Sequence, residues 1–326
     1  MTAVSDLLVP SFAQGHLRKL DVRSDLEAVA DLVEMCFAET LDMDGRRYLQ
    51  QMRSAAKSSH LLNWTNTLNE YSPHPMTGYV WEEDGKIVGN LSLIPFNSLG
   101  ERCYLIANVA VNPLQRGRGI GRALTVAGLE HARNHRVPAV WLQVRHDNPP
   151  AIHIYQSLGF RERIRRTTWR SMGEVKDLGA VTEYRVGARK AADWHRQRQW
   201  LQEKYPPEYS WHLSLDRTAL QPSLWGMLYR FFMLKYPRHW AVHHAGTLLG
   251  VLTYVDAGTW GDNLWLAAPV EADGKAVQAL LVHARQQTSR HRPLTLNYPV
   301  SPVDDEIKAA GFHDQQTLIW MSFRFI

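Results

Sequence analysis

The stretch Val109-Ala110-Val111-Asn112-Pro113-Leu114-Gln115-Arg116-Gly117-Arg118-Gly119-Ile120-Gly121-Arg122 decides how this chain of 326 residues is read. An apolar strand runs to Asn112-Pro113 and a glycine-dense turn follows. From there Ile120, Ala123, Leu124 and Ala127 fall at i, i+3, i+4 and i+7, the period of an amphipathic helix. Glycines at 117, 119 and 121 let the backbone approach a ligand closely and turn its N–H groups toward one point. The mouth of the helix adds unpaired donors and a partial positive charge, worth about 0.3–2 kcal/mol toward an anion. Arg116, Arg118 and Arg122 add full charges around it. The combination suits a pyrophosphate.

Two familiar phosphate sites fit less well. A dinucleotide fold places Gly-x-Gly-x-x-Gly after the first strand, with an acidic residue about twenty positions on. Here the glycines follow roughly the fourth strand, and the next strand ends toward Arg145 and His146. A P-loop needs Gly-Lys-Ser/Thr, which is missing.

Working outward, Leu17–Val22 reads as a short strand, and Leu26, Val29, Ala30, Leu32, Val33 and Phe37 fall at helical spacing. Tyr79–Glu83, Asp84-Gly85 and Lys86–Pro95 form a predicted hairpin with the Asp-Gly pair as its turn. Cys103–Val111 and Val140–Val144 are further strands. Asn148-Pro149-Pro150 starts a helix, with asparagine as N-cap and proline at the first position, and Gly159 stops it. Arg161–Ser171 is the expected closing strand. The order β-α-(α)-β-β-β-α-β-α-β is an α/β layer.

The second half repeats this plan. His131-Ala132-Arg133 recurs as His283-Ala284-Arg285 and Gly159-Phe160 as Gly311-Phe312, both 152 positions on. The hairpin containing Gly89 has a counterpart in Trp240–Val255, where Gly246 turns and Gly250 takes the matching place. A tandem duplication is therefore expected, with residues 1–173 as a first domain, 174–193 as linker and 194–326 as a degenerate second domain. The loop Pro269-Val270-Glu271-Ala272-Asp273-Gly274 carries two acids and no arginine, which repels a pyrophosphate, and Ile307 falls where Tyr155 falls. The aromatic segment opening the second copy (Trp211, Trp225, Tyr229, Phe231, Phe232, Tyr236) is expected to be core or domain interface.

Composition excludes other classes. The net charge of +5 favours anions, but its runs, such as the five arginines of Arg161–Arg170, have no recognition motif or stacking platform beside them, so no nucleic-acid partner is expected. The most apolar stretch, Leu224–Leu234, is about half the length a bilayer needs and contains Arg230; no membrane partner is expected. Met1–Pro10 has neither the basic nor the apolar region of a secretory leader. Two cysteines, Cys36 and Cys103, give no disulfide framework and point to a reducing cytoplasm. The adjacent His243-His244 is a poor chelate, and no metal is expected.

The residues quoted above resemble the GNAT (Gcn5-related N-acetyltransferase) superfamily. Its acetyl-CoA signature Gln/Arg-x-x-Gly-x-Gly/Ala is met by Arg116-Gly117-Arg118-Gly119-Ile120-Gly121, with Gln115 immediately before it. A second family element, an Asn followed by a helix with Tyr and then Leu-Gly-Phe, is met by Asn148 through Tyr155 to Leu158-Gly159-Phe160. The resemblance implies two tandem acetyltransferase-type domains, each a mixed, mostly antiparallel central sheet flanked by helices. It implies acetyl-CoA as cosubstrate, an amine acceptor (a small molecule or a peptide amino terminus) and no metal; homodimerisation stays open. By family position, backbone groups near Val109 and Val111 would bond the pantetheine arm, and the amides from Arg116 through Arg122 the pyrophosphate. Asn148 would bond the cofactor arm, and Tyr155 would protonate or hydrogen-bond the departing thiolate. Tyr155 also borders the apolar stripe of its helix, so packing is its alternative role. No general base is assigned: Asn108 cannot serve, and Glu101, His146 and Asp147 are candidates. A non-catalytic acyl-CoA sensor or partner-binding module is the alternative to an enzyme. The acceptor pocket is expected from Trp64–Thr77 and the second copy.

Overall fold

The computed structural model describes residues 15–39, 43–57, 77–98, 100–171, 184–211, 213, 215–223, 229, 236–256, 261–288 and 292–325. These fall into two compact units: the described residues up to Arg163 together with the segment from Trp320, and Ile164–Ile319.

The first unit contains β1 (Gly15–Lys19), α1 (Leu26–Phe37), α2 (Met43–Lys57), β2 (Thr77–Glu83), β3 (Lys86–Ser98), β4 (Glu101–Val111), α3 (Ile120–Asn134), β5 (Ala139–Arg145) and α4 (Pro149–Ser157). Strands β1 to β4 pair antiparallel with their sequence neighbours, and β5 joins β4 in parallel. The Asp84-Gly85 turn has φ of 48° and 71°, the double left-handed geometry that follows strand twist in a two-residue hairpin. Strand β1 ends at Lys19, short of the expected Val22, because Asp21 and Asp25 bind the turn that leads into α1: the amide of Asp25 donates to the Asp21 carbonyl (2.9 Å) and the amide of Asp21 to the Asp25 carboxylate (2.8 Å). One face of α1 (Leu26, Val29, Ala30, Leu32, Val33) packs with Leu49 and Met52 of α2 and Val80 and Ala110 of the sheet. Each such aliphatic burial contributes about 1.5–3 kcal/mol.

Helix α3 lies on the sheet at Gly89. A β-carbon there would stand 2.9 Å from Ile120 Cγ2 and 3.1 Å from Leu124 Cδ1, so only glycine admits the helix so close. That contact fixes where α3 begins, and with it the loop before Ile120.

The second unit contains most of β6 (Arg161–Ser171), then β7 (Val186–Ala188), α5 (Trp194–Lys204), the single turns α6 (Pro207–Ser210) and α7 (Arg217–Leu220), β8 (Arg238–His244), β9 (Thr247–Val255), β10 (Asp262–Ala267), α8 (Gly274–Gln287), β11 (Leu294–Pro299), α9 (Asp304–Ala309) and β12 (Phe312–Arg324), whose end from Trp320 belongs to the first unit. The run β8-β9-β10-α8-β11-α9 repeats β2-β3-β4-α3-β5-α4, with the same antiparallel, antiparallel, parallel pairings. The repetition reaches detail. The register slips after Trp81, which faces Gly89, and after Val242, which faces Gly250. At Gly250 a β-carbon would stand 3.2 Å from Leu280 Cδ1 of α8. Each unit is a mixed, mostly antiparallel sheet with helices on it.

Three expectations need correction. The strand Arg161–Ser171 forms, but it pairs antiparallel with β11, from Arg166 opposite Pro299 to Arg170 opposite Thr295. Its Trp169 is part of the second unit's core, whereas Trp320 meets the edge of Trp141 in the first unit, ring centroids 6.3 Å apart. Alternation names a strand but not its neighbour. Next, Val186–Ala188, inside the stretch read as linker, is a strand paired with β8. Finally, Trp211 and Tyr236 are 36% and 68% exposed, and the aromatic burial falls to Tyr205 and Trp240 instead. Trp225, Phe231 and Phe232 lie outside the described residues, as do Trp64–Met76 and the stretch 224–234 apart from Tyr229.

Gly89→Ala is expected to lower unfolding stability by about 1–3 kcal/mol through overpacking against Ile120 and Leu124. Gly250→Ala, with the wider 3.2 Å approach, is expected to cost less. Urea unfolding midpoints of the two variants check both values.

Candidate cofactor and acyl-transfer site

Strand β4 changes course before the glycine loop. Ser92 of β3 faces Ala107 and Asn90 faces Ala110, so Asn108 and Val109 together oppose Leu91. This is a bulge, with Asn108 at φ 51°, a conformation asparagine tolerates better than most residues. The fully buried Asn90 pins it by donating from Nδ2 to the Asn108 carbonyl (2.9 Å), and Asn108 Nδ2 donates to Tyr48 Oη (3.0 Å). On the other side, β4 and β5 are paired only from Tyr104–Ile106 against Val140–Leu142. Both strands continue beyond that point, to Val111 and Arg145, and so form a fork. Val109 stands in the bulge. The Val111 carbonyl accepts from Cys36 Sγ (3.3 Å) and Arg116 Nε (3.3 Å).

Past β4 the chain makes one tight turn, Pro113–Gln115, capped by Asn112, whose side chain accepts from the Leu114 amide (3.0 Å). Gly117 and Gly119 then adopt φ of 79° and 80°, a region that costs other L-residues roughly 1–2 kcal/mol each. No atom lies within 4 Å of where a Gly117 β-carbon would stand. Gly119 is the N-cap of α3, and the Ala123 amide donates to its carbonyl (3.0 Å), so the amides of Ile120, Gly121 and Arg122 precede the first intrahelical bond. A backbone of this shape, with an open side at Gly117, fits a pyrophosphate.

The three arginines of the loop are not equivalent. Arg118 bonds the nearly buried Glu83 (2.9 Å) and the Gln115 side chain. Burial pulls the Glu83 carboxyl up, but Arg118 and the Trp81 indole together hold it below its ordinary range. Arg118 is thus a neutralised brace. Arg116 reaches back to the Val111 carbonyl, and Arg122 donates to Ser157 Oγ (3.0 Å) at the end of α4.

Asn148 caps α4 through its side-chain oxygen, which accepts from the Ala151 amide (3.3 Å), and Pro149 takes the first helical position. Tyr155 projects from this helix and is 6% exposed, its ring edge-on to Phe160 at 5.9 Å. Burial pushes its phenol well above the ordinary value, and among the described residues its hydroxyl has no hydrogen-bond partner. The first turn of α3 touches α4 on either side of Tyr155: a β-carbon at Gly121 would stand 3.8 Å from Ile154 Cδ1, and Arg122 meets Ser157. Of the candidate bases, Glu101 begins β4, ten residues and roughly 33 Å from Val111 at the far end of the strand. Asp147 is forked by Arg145 (2.9 and 2.6 Å), which holds its carboxyl low, so it is a weak base. His146 is exposed beside it.

The equivalent place in the second unit is built differently. Asp273 caps α8 by accepting from the Ala276 amide (3.0 Å) and from Tyr184 Oη (2.5 Å). The Glu306 carboxyl lies against Gly274, its Cδ 2.6 Å from where a β-carbon would stand. Glu306 occupies the place that Ile154 has in the first copy. Two of the protein's own carboxylates therefore stand at the head of this helix, of which Asp273 caps it. The fork between β10 and β11, paired only from Asp262–Leu264 against Leu294–Leu296, is also occupied. Tyr205, fully buried, sets its ring edge on Trp265 (5.2 Å) under the Arg166 guanidinium (4.9 Å). Arg166 in turn bonds the side chain (2.6 Å) and carbonyl (2.9 Å) of Asn297.

The bulge, the Glu83 brace, Tyr48 and Glu306 were not found by reading the sequence, whereas Asp273 was one of the two acids expected in the second loop. The asparagines at 90 and 108 were the one available signal of the bulge, and they do not announce a pairing. Among the described residues no group of three or more His, Cys, Asp and Glu side chains could hold a metal ion, and no helix is long and apolar enough to cross a membrane.

Comparison with known proteins agrees with this geometry. The Acetyltransferase (GNAT) family matches residues 32–160. A mycothiol acetyltransferase of Thermomonospora curvata is 39% identical over 83 residues, which is 25% of this chain and 27% of that protein. One of Acidothermus cellulolyticus is 51% identical over 53 residues, 16% of each chain. The matched parts thus span about a quarter or less of these relatives. A solved GCN5-related N-acetyltransferase from Sphaerobacter thermophilus shares the fold over 96% of each chain, with a TM-score of 0.54 and 13% identity. The GCN5-related glucosamine N-acetyltransferase region of a fungal β-N-acetylglucosaminidase gives a TM-score of 0.56 at 13% identity, over 96% of this chain and 38% of that one. The glycine loop, the forked strands and the Tyr155 helix all lie inside residues 32–160, the segment that matches the acetyltransferase (GNAT) family.

Proposed function

We propose that the first copy binds acetyl-CoA and transfers its acetyl group to an amine, a small molecule or a peptide amino terminus. The observation that carries this reading is the left-handed pair Gly117 and Gly119 at the head of α3, with amides turned outward and an open side. The amides from Arg116 to Arg122 hold the pyrophosphate, with Arg116 and Arg122 supplying charge and Arg118 keeping the loop in shape. The fork beside Val109 and Val111 receives the pantetheine arm, and Asn148 stands at the adjoining helix cap. The cosubstrate supplies a thioester carbonyl: the amine nitrogen forms the new C–N bond, the C–S bond breaks, and sulfur leaves with the electron pair.

Tyr155 meets the departing sulfur. A thiol has an ordinary pKa of about 8.5 and is already a fair leaving group. The buried phenol holds its proton far more tightly than that, so Tyr155 works as a hydrogen-bond donor to the thiolate and keeps its proton. The acceptor's proton goes to solvent; no described carboxylate is placed to take it.

The second copy serves as a degenerate partner with no coenzyme site. Asp273 and Glu306 already provide the anions at the head of α8, and Tyr205 with Arg166 fills its fork.

Calorimetric titration is expected to give one coenzyme A per chain, and Gly119→Glu to abolish that binding, since it adds both left-handed strain and a negative charge. Two equivalent sites, or undiminished affinity in Gly119→Glu, would overturn the reading. Tyr155→Phe is expected to lower turnover about tenfold to a hundredfold in a free-thiol release assay over an amine panel, the low end for proton-donating side chains. Because its pKa is raised, Tyr155 should add no basic limb to the pH–rate profile below about pH 10. Full activity in the phenylalanine variant removes Tyr155 from the chemistry.

A further inference from the structure

We propose that Phe323 is a positioning residue for Tyr155, so that the closing segment from Trp320 to Phe325 takes part in acyl transfer through α4; this rests on the role given to Tyr155 above. Helix α4 has nine residues, too few to hold its shape without tertiary support. After the Leu158 amide, the backbone bonds that close its end run from the Phe160 amide to the Tyr155 carbonyl (3.0 Å) and from the Gly159 amide to the Gln156 carbonyl (3.0 Å). Phe323 packs on both donors. Its ring centroid lies 5.7 Å from that of Phe160, and its Cε2 would stand 3.3 Å from a β-carbon on Gly159.

Phe160 passes this contact to the Tyr155 ring, edge-on at 5.9 Å. Behind Phe323 the chain is anchored three times. Phe325 meets its edge at 5.0 Å and donates from its amide to the Pro138 carbonyl (3.2 Å). Arg163 Nε donates to Ser322 Oγ (2.7 Å), and Trp320 packs on Trp141 of β5. The aromatic series Phe325–Phe323–Phe160–Tyr155 therefore fixes a side chain whose hydroxyl has no hydrogen-bond partner among the described residues. Packing alone aims it, and small errors in aim are costly at a reacting centre. Phe323 packs on Gly159, Phe160 and Phe325, whereas the amides of the glycine loop are set by the torsions of Gly117 and Gly119 and by the seating of Ile120 and Leu124 at Gly89.

Phe323→Ala is expected to lower kcat about tenfold while leaving the KM for acetyl-CoA and the coenzyme A dissociation constant unchanged, and Phe323→Leu to recover most of the loss. In a Tyr155→Phe background the same alanine substitution should cost less than about twofold, because the hydroxyl it aims is gone. The Tyr155 ring resonances, assigned by their loss in Tyr155→Phe, should shift in Phe323→Ala, a readout that needs no turnover. Full kcat in Phe323→Ala, an equal loss in the Tyr155→Phe background, unshifted Tyr155 resonances, or a parallel fall in coenzyme affinity each overturns the proposal. If Tyr155→Phe is itself fully active, the role of Tyr155 has failed and the proposal falls with it. If Tyr155→Phe is impaired and the Phe323 effects simply add, the proposal alone has failed.

Discussion

Three backbone amides at the head of α3 face outward without intrahelical acceptors, and the arrangement of the first unit keeps them so. They exist because Gly117 and Gly119 take left-handed conformations, which aim the chain into the helix without a side chain to cap it. They stay in place because α3 cannot slide: Ile120 and Leu124 are seated on the bare backbone of Gly89. Upstream, the bulge at Asn108 turns β4 away from β5 just before the loop, so the same strand that delivers the loop also opens the fork beside it. A small number of backbone torsions thus sets both the loop and the fork, the two halves of the site proposed for the coenzyme. The charged side chains differ: Arg118 spends its charge on Glu83 as a strut, while Arg116 and Arg122 bond a carbonyl and a hydroxyl.

The second unit keeps the same scaffold with the opposite content. Its hairpin, its slipped register and its glycine under the helix are all retained, since these belong to the packing of a helix on a sheet. The functional surface is spent on the protein's own groups. The partial positive charge at the head of α8 is met by Asp273 and Glu306, and the fork is closed by Tyr205 beneath Arg166. Arg166 is buried with neutral acceptors around it, an expensive charge to place unless every contact is fixed. The unit's closing strand then ends in the first unit, where Trp320 and Phe323 pack beneath β5 and α4.

Much of the first unit could be read from the residues. The 3.6-residue spacing in Leu26–Phe37 and Ile120–Asn134, the Asp84-Gly85 turn and the Asn148-Pro149 start are local signals with local causes, and each element forms where they stand. The glycine loop was legible for the same reason: φ above zero is a property of single residues, and glycine declares it. The strand pairing of Arg161–Ser171 was not legible, because its neighbour β11 lies more than a hundred residues on in sequence and is reached through contacts such as Arg166 to Asn297.

By itself, then, the sequence determined the elements, the duplication, and the presence of a left-handed glycine loop before α3, all of which depend on short-range geometry and periodic burial. Only the tertiary structure decided that Arg118 is spent on Glu83, that Asn90 and Asn108 open the strands, and that Glu306 stands where Ile154 does in the first copy. It also decided that Tyr155 is buried with Phe160 against its ring and Phe323 against Phe160, and that burial raises its phenol. Burial and partner choice depend on which distant side chains arrive at the same point in space, and no local pattern carries that information.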